Sequence, residues 1–98
     1  MLYRHGDVLI KSVVGLPQGG EKRATSILVH GEATGHAHRI EDTTRGEIWV
    51  VNGEMFLNVL TETRIIHEEH QPITLPAGVY RVWQQREYTP QEIRYIRD

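Results

Sequence analysis

Two histidine doublets in this sequence have the residue type and spacing of metal ligands. The first is His36 and His38 in GEATGHAHRIE, and the second is His67 and His70 in HEEHQP. The chain has six histidines and no cysteine, so a metal site here must use imidazole nitrogen and carboxylate oxygen. Zinc is the first choice of divalent metal for such ligands, and iron, nickel and manganese are the alternatives.

Local geometry determines which of these histidines can share one ion. Successive side chains of a strand point to opposite faces, so His36 and His38 share a face. The same alternation separates His67 from His70 on a regular strand, but a turn before Pro72 would bring both to one side. His70 is the first choice for the third ligand because it lies next to that turn, and His67 is the alternative.

Nearby carboxylates have two predicted roles. A ligand histidine needs its second ring nitrogen held by a carboxylate or a carbonyl, and four glutamates are candidates for this: Glu32, Glu41, Glu68 and Glu69. If the protein is an enzyme, the metal would activate water or polarise an oxygen ligand, with Glu41 or Glu69 as the proton carrier. The two other histidines, His5 and His30, are predicted to lie outside the site.

Composition limits the fold and the classes of partner. The 98 residues are 39% hydrophobic and 24% charged, which is typical of a single domain, assigned to residues 1–98. No apolar run approaches the ~20 residues that span a bilayer, and the first residues do not have the pattern of a signal peptide. We therefore expect a soluble, cytoplasmic protein without a membrane partner. The net charge of −2 argues against nucleic acid as a partner.

The local pattern predicts a mainly β chain. Short apolar runs alternate with turns rich in glycine and proline, which favours a small antiparallel β-barrel or sandwich. Residues 2–14 are predicted to form one strand or a bulged hairpin arm, and residues 63–70 and 79–88 two further strands. Asn52-Gly53 between two apolar runs predicts a hairpin. Thr89-Pro90-Gln91-Glu92 matches a capping box with proline at the first helical position, which predicts a short C-terminal helix.

Within residues 31–83 the sequence resembles the cupin superfamily in a reduced form. GHAHRIE supplies a glycine, the histidine pair and Glu41, and Gly46 or Gly53 follows. Pro76-Ala77-Gly78 matches the turn of the second cupin motif, whereas the histidine that cupins have after this turn is absent. The resemblance implies a small β-barrel with a metal facing its interior. It implies no particular reaction, because cupins include both enzymes and binding proteins.

Two functions are compatible with these features. The first is a metal-binding β protein whose histidine cluster holds an ion with a structural, sensing or catalytic role, with a small molecule as a further ligand. The second is a metal-free interaction subunit that assembles through open sheet edges. A homo-oligomer is expected in either case. The sequence names no substrate, and whether the chain is an enzyme is left open.

Overall fold

The computed structural model of the chain describes residues 1–31, 35–88 and 93–95. These residues form β-strands and no helix, which confirms the predicted mainly β class. The strands are β1 (Leu2–His5), β2 (Val8–Val13), β3 (Glu21–Arg23), β4 (Ile27–His30), β5 (Ala37–Ile40), β6 (Gly46–Val51), β7 (Glu54–Val59), β8 (Thr63–Ile66), β9 (Ile73–Leu75), β10 (Gly78–Gln84), β11 (Arg86–Tyr88) and β12 (Ile93–Tyr95). Over the same ranges, no helical segment has the length and hydrophobicity that a bilayer crossing requires.

The strands form two open antiparallel sheets and a separate strand pair. One sheet has the order β1-β2-β10-β7-β6-β3, the other has the order β4-β5-β8-β9, and β11 pairs with β12. A barrel would require backbone hydrogen bonds that join the edge strands of the sheets into a closed ring. In the described part of the chain each sheet keeps two edge strands, so the predicted barrel is wrong and the arrangement is sandwich-like.

Apolar side chains from both sheets meet in one core. Ile10 and Leu57 of the six-stranded sheet are buried in the same cluster as Leu28 and Ile65 of the four-stranded sheet. Burying each of these side chains contributes roughly 1.5–3 kcal/mol. The exposed Arg64 directly before Ile65 shows the alternation that places one face of each strand in the core.

The hairpin predicted at Asn52-Gly53 is confirmed. Val51 of β6 is opposite Glu54 of β7, so the turn contains only the two residues between them. Asn52 has a φ of 51° and Gly53 a φ of 78°, and two positive φ values are what a tight turn needs to match the twist of its strands.

A second tight hairpin joins β1 to β2, where the sequence predicted one strand or a bulged hairpin arm. His5 pairs with Val8, and Gly6-Asp7 forms the turn, with Gly6 at a φ of 63°. Glycine adopts this conformation without the steric cost that a side chain would add. The turn brings His5 and Asp7 close together at one end of the six-stranded sheet.

The predicted C-terminal helix is wrong over the residues that can be compared. Ile93–Tyr95 is strand β12, which pairs antiparallel with Arg86–Tyr88 of β11. The capping-box residues 89–92 lie outside the described residues. A helix of about two turns has little stability without packing against the rest of the protein, and the β-branched Ile93 is well suited to a strand.

Candidate metal centre

Five imidazoles gather where the β1–β2 turn meets one end of the four-stranded sheet. Their ring centroids are 4.4 Å apart for His38 and His67, 4.7 Å for His67 and His70, and 5.0 Å for His5 and His38. His36 joins the group at its rim, 5.6 Å from His67. The sequence predicted an ion held by His36, His38 and one of His67 and His70; the four rings are neighbours here, but His36 and His38 fall in different candidate ligand sets.

The ends of strands β5 and β8 explain how both doublets reach this cluster. His38 is inside β5 and fully buried, with 0% of its surface exposed. Strand β8 ends at Ile66, so the strict alternation of a strand no longer separates His67 from His70. A turn ahead of Pro72 was one of the two arrangements predicted from the sequence, and it is the arrangement that the structure shows.

Among the residues that the structure describes, two sets of side chains could hold an ion. The first is His38, His67 and His70, and the second is His36, His67 and Glu68; in each set, one ligand atom per residue lies within 4.8 Å of the others. The first set contains both residues that the sequence proposed as the third ligand. It is also the more buried set, because His38 and His67 are buried and His70 is half-buried.

His5 holds the ring of His38. Its Nε2 atom is 3.0 Å from the carbonyl oxygen of Gln71, and its Nδ1 atom is 2.9 Å from Nδ1 of His38. A carbonyl oxygen only accepts, so Nε2 of His5 carries a proton and donates it. Burial lowers the pKa of His5, which favours a neutral ring whose Nδ1 accepts from His38. The Nδ1 atom of His38 then carries the proton, so Nε2 is the nitrogen through which His38 would bind a metal.

His67 has a hydrogen bond that would change when a metal binds. The backbone N–H of Glu69 donates to Nδ1 of His67 over 3.0 Å, which places the proton of a neutral ring on Nε2. A metal on Nε2 needs that position without its proton. The ring must therefore shift the proton to Nδ1 and release the Glu69 amide when it binds an ion through Nε2.

Glu41 and Glu69, the predicted proton carriers, lie in different surroundings. Glu41 is exposed and forms an ion pair with Arg64, which lowers the pKa of the Glu41 carboxyl. It belongs to neither ligand set. Glu69 lies at the rim of the cluster, where its Oε1 atom is 3.6 Å from Nδ1 of His36. The other predicted partner, Glu32, falls outside the described residues.

Glu68 anchors the segment after β8 to the start of β5. Its Oε1 atom accepts from the backbone N–H of Ala37 over 3.0 Å, and Arg39 donates to Oε2 over 2.6 Å. Hydrogen bonding to the Ala37 amide, with further contributions from its own amide and from Arg39, lowers the pKa of Glu68 to about 2. The carboxylate of Glu68 is thus committed to a structural contact, which makes the second ligand set the weaker candidate.

Sequence reasoning missed two residues of the cluster. His5 was predicted to lie outside the site; it is in neither ligand set, but it is 2% exposed and contacts His38, a contact that the sequence did not reveal. Asp7 is also 2% exposed, with Oδ1 3.4 Å from Nε2 of His38. In the sequence, the one hint of this contact is the glycine between the two residues. In the structure, a side chain at Gly6 would collide with His70 and His38. His30, also predicted outside, is exposed on β4.

The fold and the site together define a small β protein of two open sheets with a buried histidine cluster at their junction. Residues 4–85 match the model of a family described as a domain of unknown function, DUF8820, so the chain belongs to this family. The matched range includes all five clustered histidines. No curated protein and no solved structure matched the chain.

Proposed function

We propose that this protein binds one divalent metal ion through His38, His67 and His70, and that the ion ties strand β5 to the segment between β8 and β9. The observation that carries the proposal is the position of three ligand atoms within 4.8 Å of one another, from segments far apart in sequence. Zinc is the first choice, with iron, nickel and manganese as alternatives, because imidazole ligands suit borderline metals.

The set needs a small contraction to bind an ion. Nitrogen ligands lie about 2.0–2.1 Å from zinc. Tetrahedral geometry then places ligand atoms roughly 3.4 Å apart, so side-chain rotations must shorten separations of up to 4.8 Å by as much as about 1.4 Å. Binding would also require the change of tautomer described for His67. The site is therefore one that an ion completes as it binds.

The surroundings favour a structural ion over a catalytic one. His38 and His67 are buried. Among the described residues, two surface cavities of about 390 and 350 Å³ are lined by side chains outside the cluster. A sensing role and a catalytic role with Glu69 as the proton carrier stay predictions.

Metal content measured on protein purified without an affinity tag tests the proposal. We expect about one zinc per chain in the wild type after reconstitution, and loss of this zinc in the His38→Ala/His70→Ala variant. Bound metal should also raise stability, by about 2.7 kcal/mol at a free concentration of 100 times the Kd. That corresponds to roughly 10–20 °C in Tm for a domain of this size.

His30→Ala is the matched control, because this exposed histidine lies outside the cluster. It should retain the metal and the rise in Tm, and circular dichroism should show that every variant keeps its β structure. Wild-type protein that binds no stoichiometric zinc, or a double variant that binds as tightly as the wild type, would overturn the proposal. The first result would favour the metal-free interaction subunit.

Three further expectations stay predictions: the homo-oligomer, the cytoplasmic location and the resemblance to cupins. The exposed apolar residues on and beside edge strand β1 support an oligomer, with Met1 81% and Leu2 58% exposed. An open strand edge with apolar side chains is a surface on which a second copy can pair.

A further inference from the structure

Asp7 is a buried carboxylate with one oxygen turned towards the histidine cluster. Its Oδ2 atom accepts a hydrogen bond from the side chain of Gln84, and its backbone carbonyl accepts from the Gln85 N–H over 2.8 Å. Oδ1 is buried and accepts no hydrogen bond from the described residues. Leaving a buried charged oxygen without a hydrogen-bond donor is costly, so its position calls for a positive partner.

The position of His38 beside Asp7 adds to the need for a positive partner at Oδ1. Asp7 Oδ1 lies 3.4 Å from Nε2 of His38, the ring nitrogen on the side away from the bond to His5. A cation near both atoms would stabilise the buried carboxylate oxygen of Asp7. A proton or a metal ion can fill this role.

The separation of these two atoms fits a metal. Two ligand atoms 3.4 Å apart, each at a zinc–ligand distance, enclose an angle of about 110° at the ion, close to a tetrahedral angle. The position of His70 agrees with this, since a Cβ on Gly6 would lie 2.8 Å from His70 Nε2 and 2.9 Å from His38 Cε1. The backbone beside Asp7 therefore runs directly against the rings of two proposed ligands.

We propose that Asp7 is a ligand of the metal, binding through Oδ1 and giving the centre one negative charge beside its imidazoles. This inference rests on the proposed function and extends it, because Asp7 belongs to neither of the two ligand sets described above. With a carboxylate in the fourth position the centre is closed, as structural zinc sites are. A mixed nitrogen and oxygen set takes up divalent zinc, iron or manganese, and it disfavours copper(I), which selects sulfur ligands.

Cobalt(II) titration of Asp7 variants tests the assignment, since cobalt reports zinc sites by its visible spectrum. Asp7→Asn keeps the shape and the bond from Gln84 but loses the charge, and we expect it to bind cobalt at least about 10-fold more weakly than the wild type. Asp7→Cys places a thiolate near the carboxyl carbon of Asp7, one bond short of Oδ1, and the longer metal–sulfur bond of ~2.3 Å makes up part of the difference. It should add a near-ultraviolet charge-transfer band from sulfur to cobalt.

The matched control is Glu41→Cys, which replaces the exposed carboxylate paired with Arg64. The chain has no native cysteine, so any sulfur band arises from the introduced residue alone. We expect no such band in Glu41→Cys, and circular dichroism without metal should show that each variant is folded. If Asp7→Cys does not fold, the cobalt affinity of Asp7→Asn relative to the wild type still tests whether Asp7 is a ligand.

The outcomes separate this inference from the proposed function. A sulfur band in Asp7→Cys together with weaker binding by Asp7→Asn supports Asp7 as a ligand. If wild type and Asp7→Asn bind cobalt equally, with no band in Asp7→Cys, while His38→Ala loses the metal, Asp7 is not a ligand and the histidine site stands. Wild-type protein that binds no cobalt overturns both.

Discussion

His5 shows how burial and hydrogen bonding fix the chemistry of a neighbouring imidazole. Its two ring nitrogens are engaged, one by the Gln71 carbonyl and the other by His38. Burial, with further contributions from His70 and His67, lowers the pKa of His5 although its bond to Gln71 acts in the opposite direction. The neutral ring holds His38 with its second nitrogen directed to the proposed ion, so His5 is a positioning residue.

The lowered pKa of His5 predicts acid sensitivity of the metal-free protein. Below pH 6.5 the unfolded chain binds a proton at His5 that the folded chain resists, so stability is full above this pH and falls as the pH drops below it. The decline ends once the pH is below the folded-state pKa. We expect His5→Gln to be less stable at pH 7.5 but to lose less stability between pH 7.5 and 5.5.

Urea unfolding at several pH values, with a chelator present, measures this effect. His30→Gln is the control, because it removes an exposed histidine outside the cluster, and the pH dependence of this variant's stability should match that of the wild type. An equal loss of stability in His5→Gln and wild type would show that burial of His5 does not set the acid response.

At the scale of elements, the β1–β2 turn is the part that builds the site. Gly6 has a φ of 63°, and a Cβ there would lie 2.8 Å from Nε2 of His70 and 2.9 Å from Cε1 of His38. The missing side chain therefore serves two purposes. It permits the turn, and it allows the rings to approach the backbone beside Asp7.

Gly6→Ala should destabilise the protein more than Gly53→Ala. Both residues have positive φ, which costs an alanine about 1–2 kcal/mol, but a Cβ on Gly53 would meet open space. The contact with the rings should add about 1–3 kcal/mol to the cost at Gly6. Denaturant unfolding of the two variants measures the difference, and equal losses would show that the rings do not pack tightly on the turn.

Sequence reasoning succeeded where the signal was local. Asn52-Gly53 specified its hairpin, because few residue pairs accept two positive φ values. The histidine doublets could also be recognised as candidate ligands, because the two histidines of each doublet lie within a few residues of each other. The C-terminal helix failed, because a capping signal over residues 89–92 does not reveal that Ile93–Tyr95 pairs with β11.

At the scale of the whole molecule, the site depends on how two sheets meet. His5 and Asp7 come from a turn of the six-stranded sheet, whereas His38 belongs to the four-stranded sheet. No pattern within a short window shows that these elements touch, and for this reason neither His5 nor Asp7 was predicted. The sequence left a barrel and a sandwich as alternatives for the same reason, since barrel closure depends on which edge strands pair.

The central claim is that one metal ion is held by His38, His67 and His70. Crystals of the zinc-reconstituted protein, measured at the zinc absorption edge, would locate it directly by anomalous scattering. The account predicts one strong peak at the cluster, about 2.0–2.1 Å from a ring nitrogen of each of these histidines. A map with no peak there, or with zinc only at exposed side chains such as His30, would contradict it.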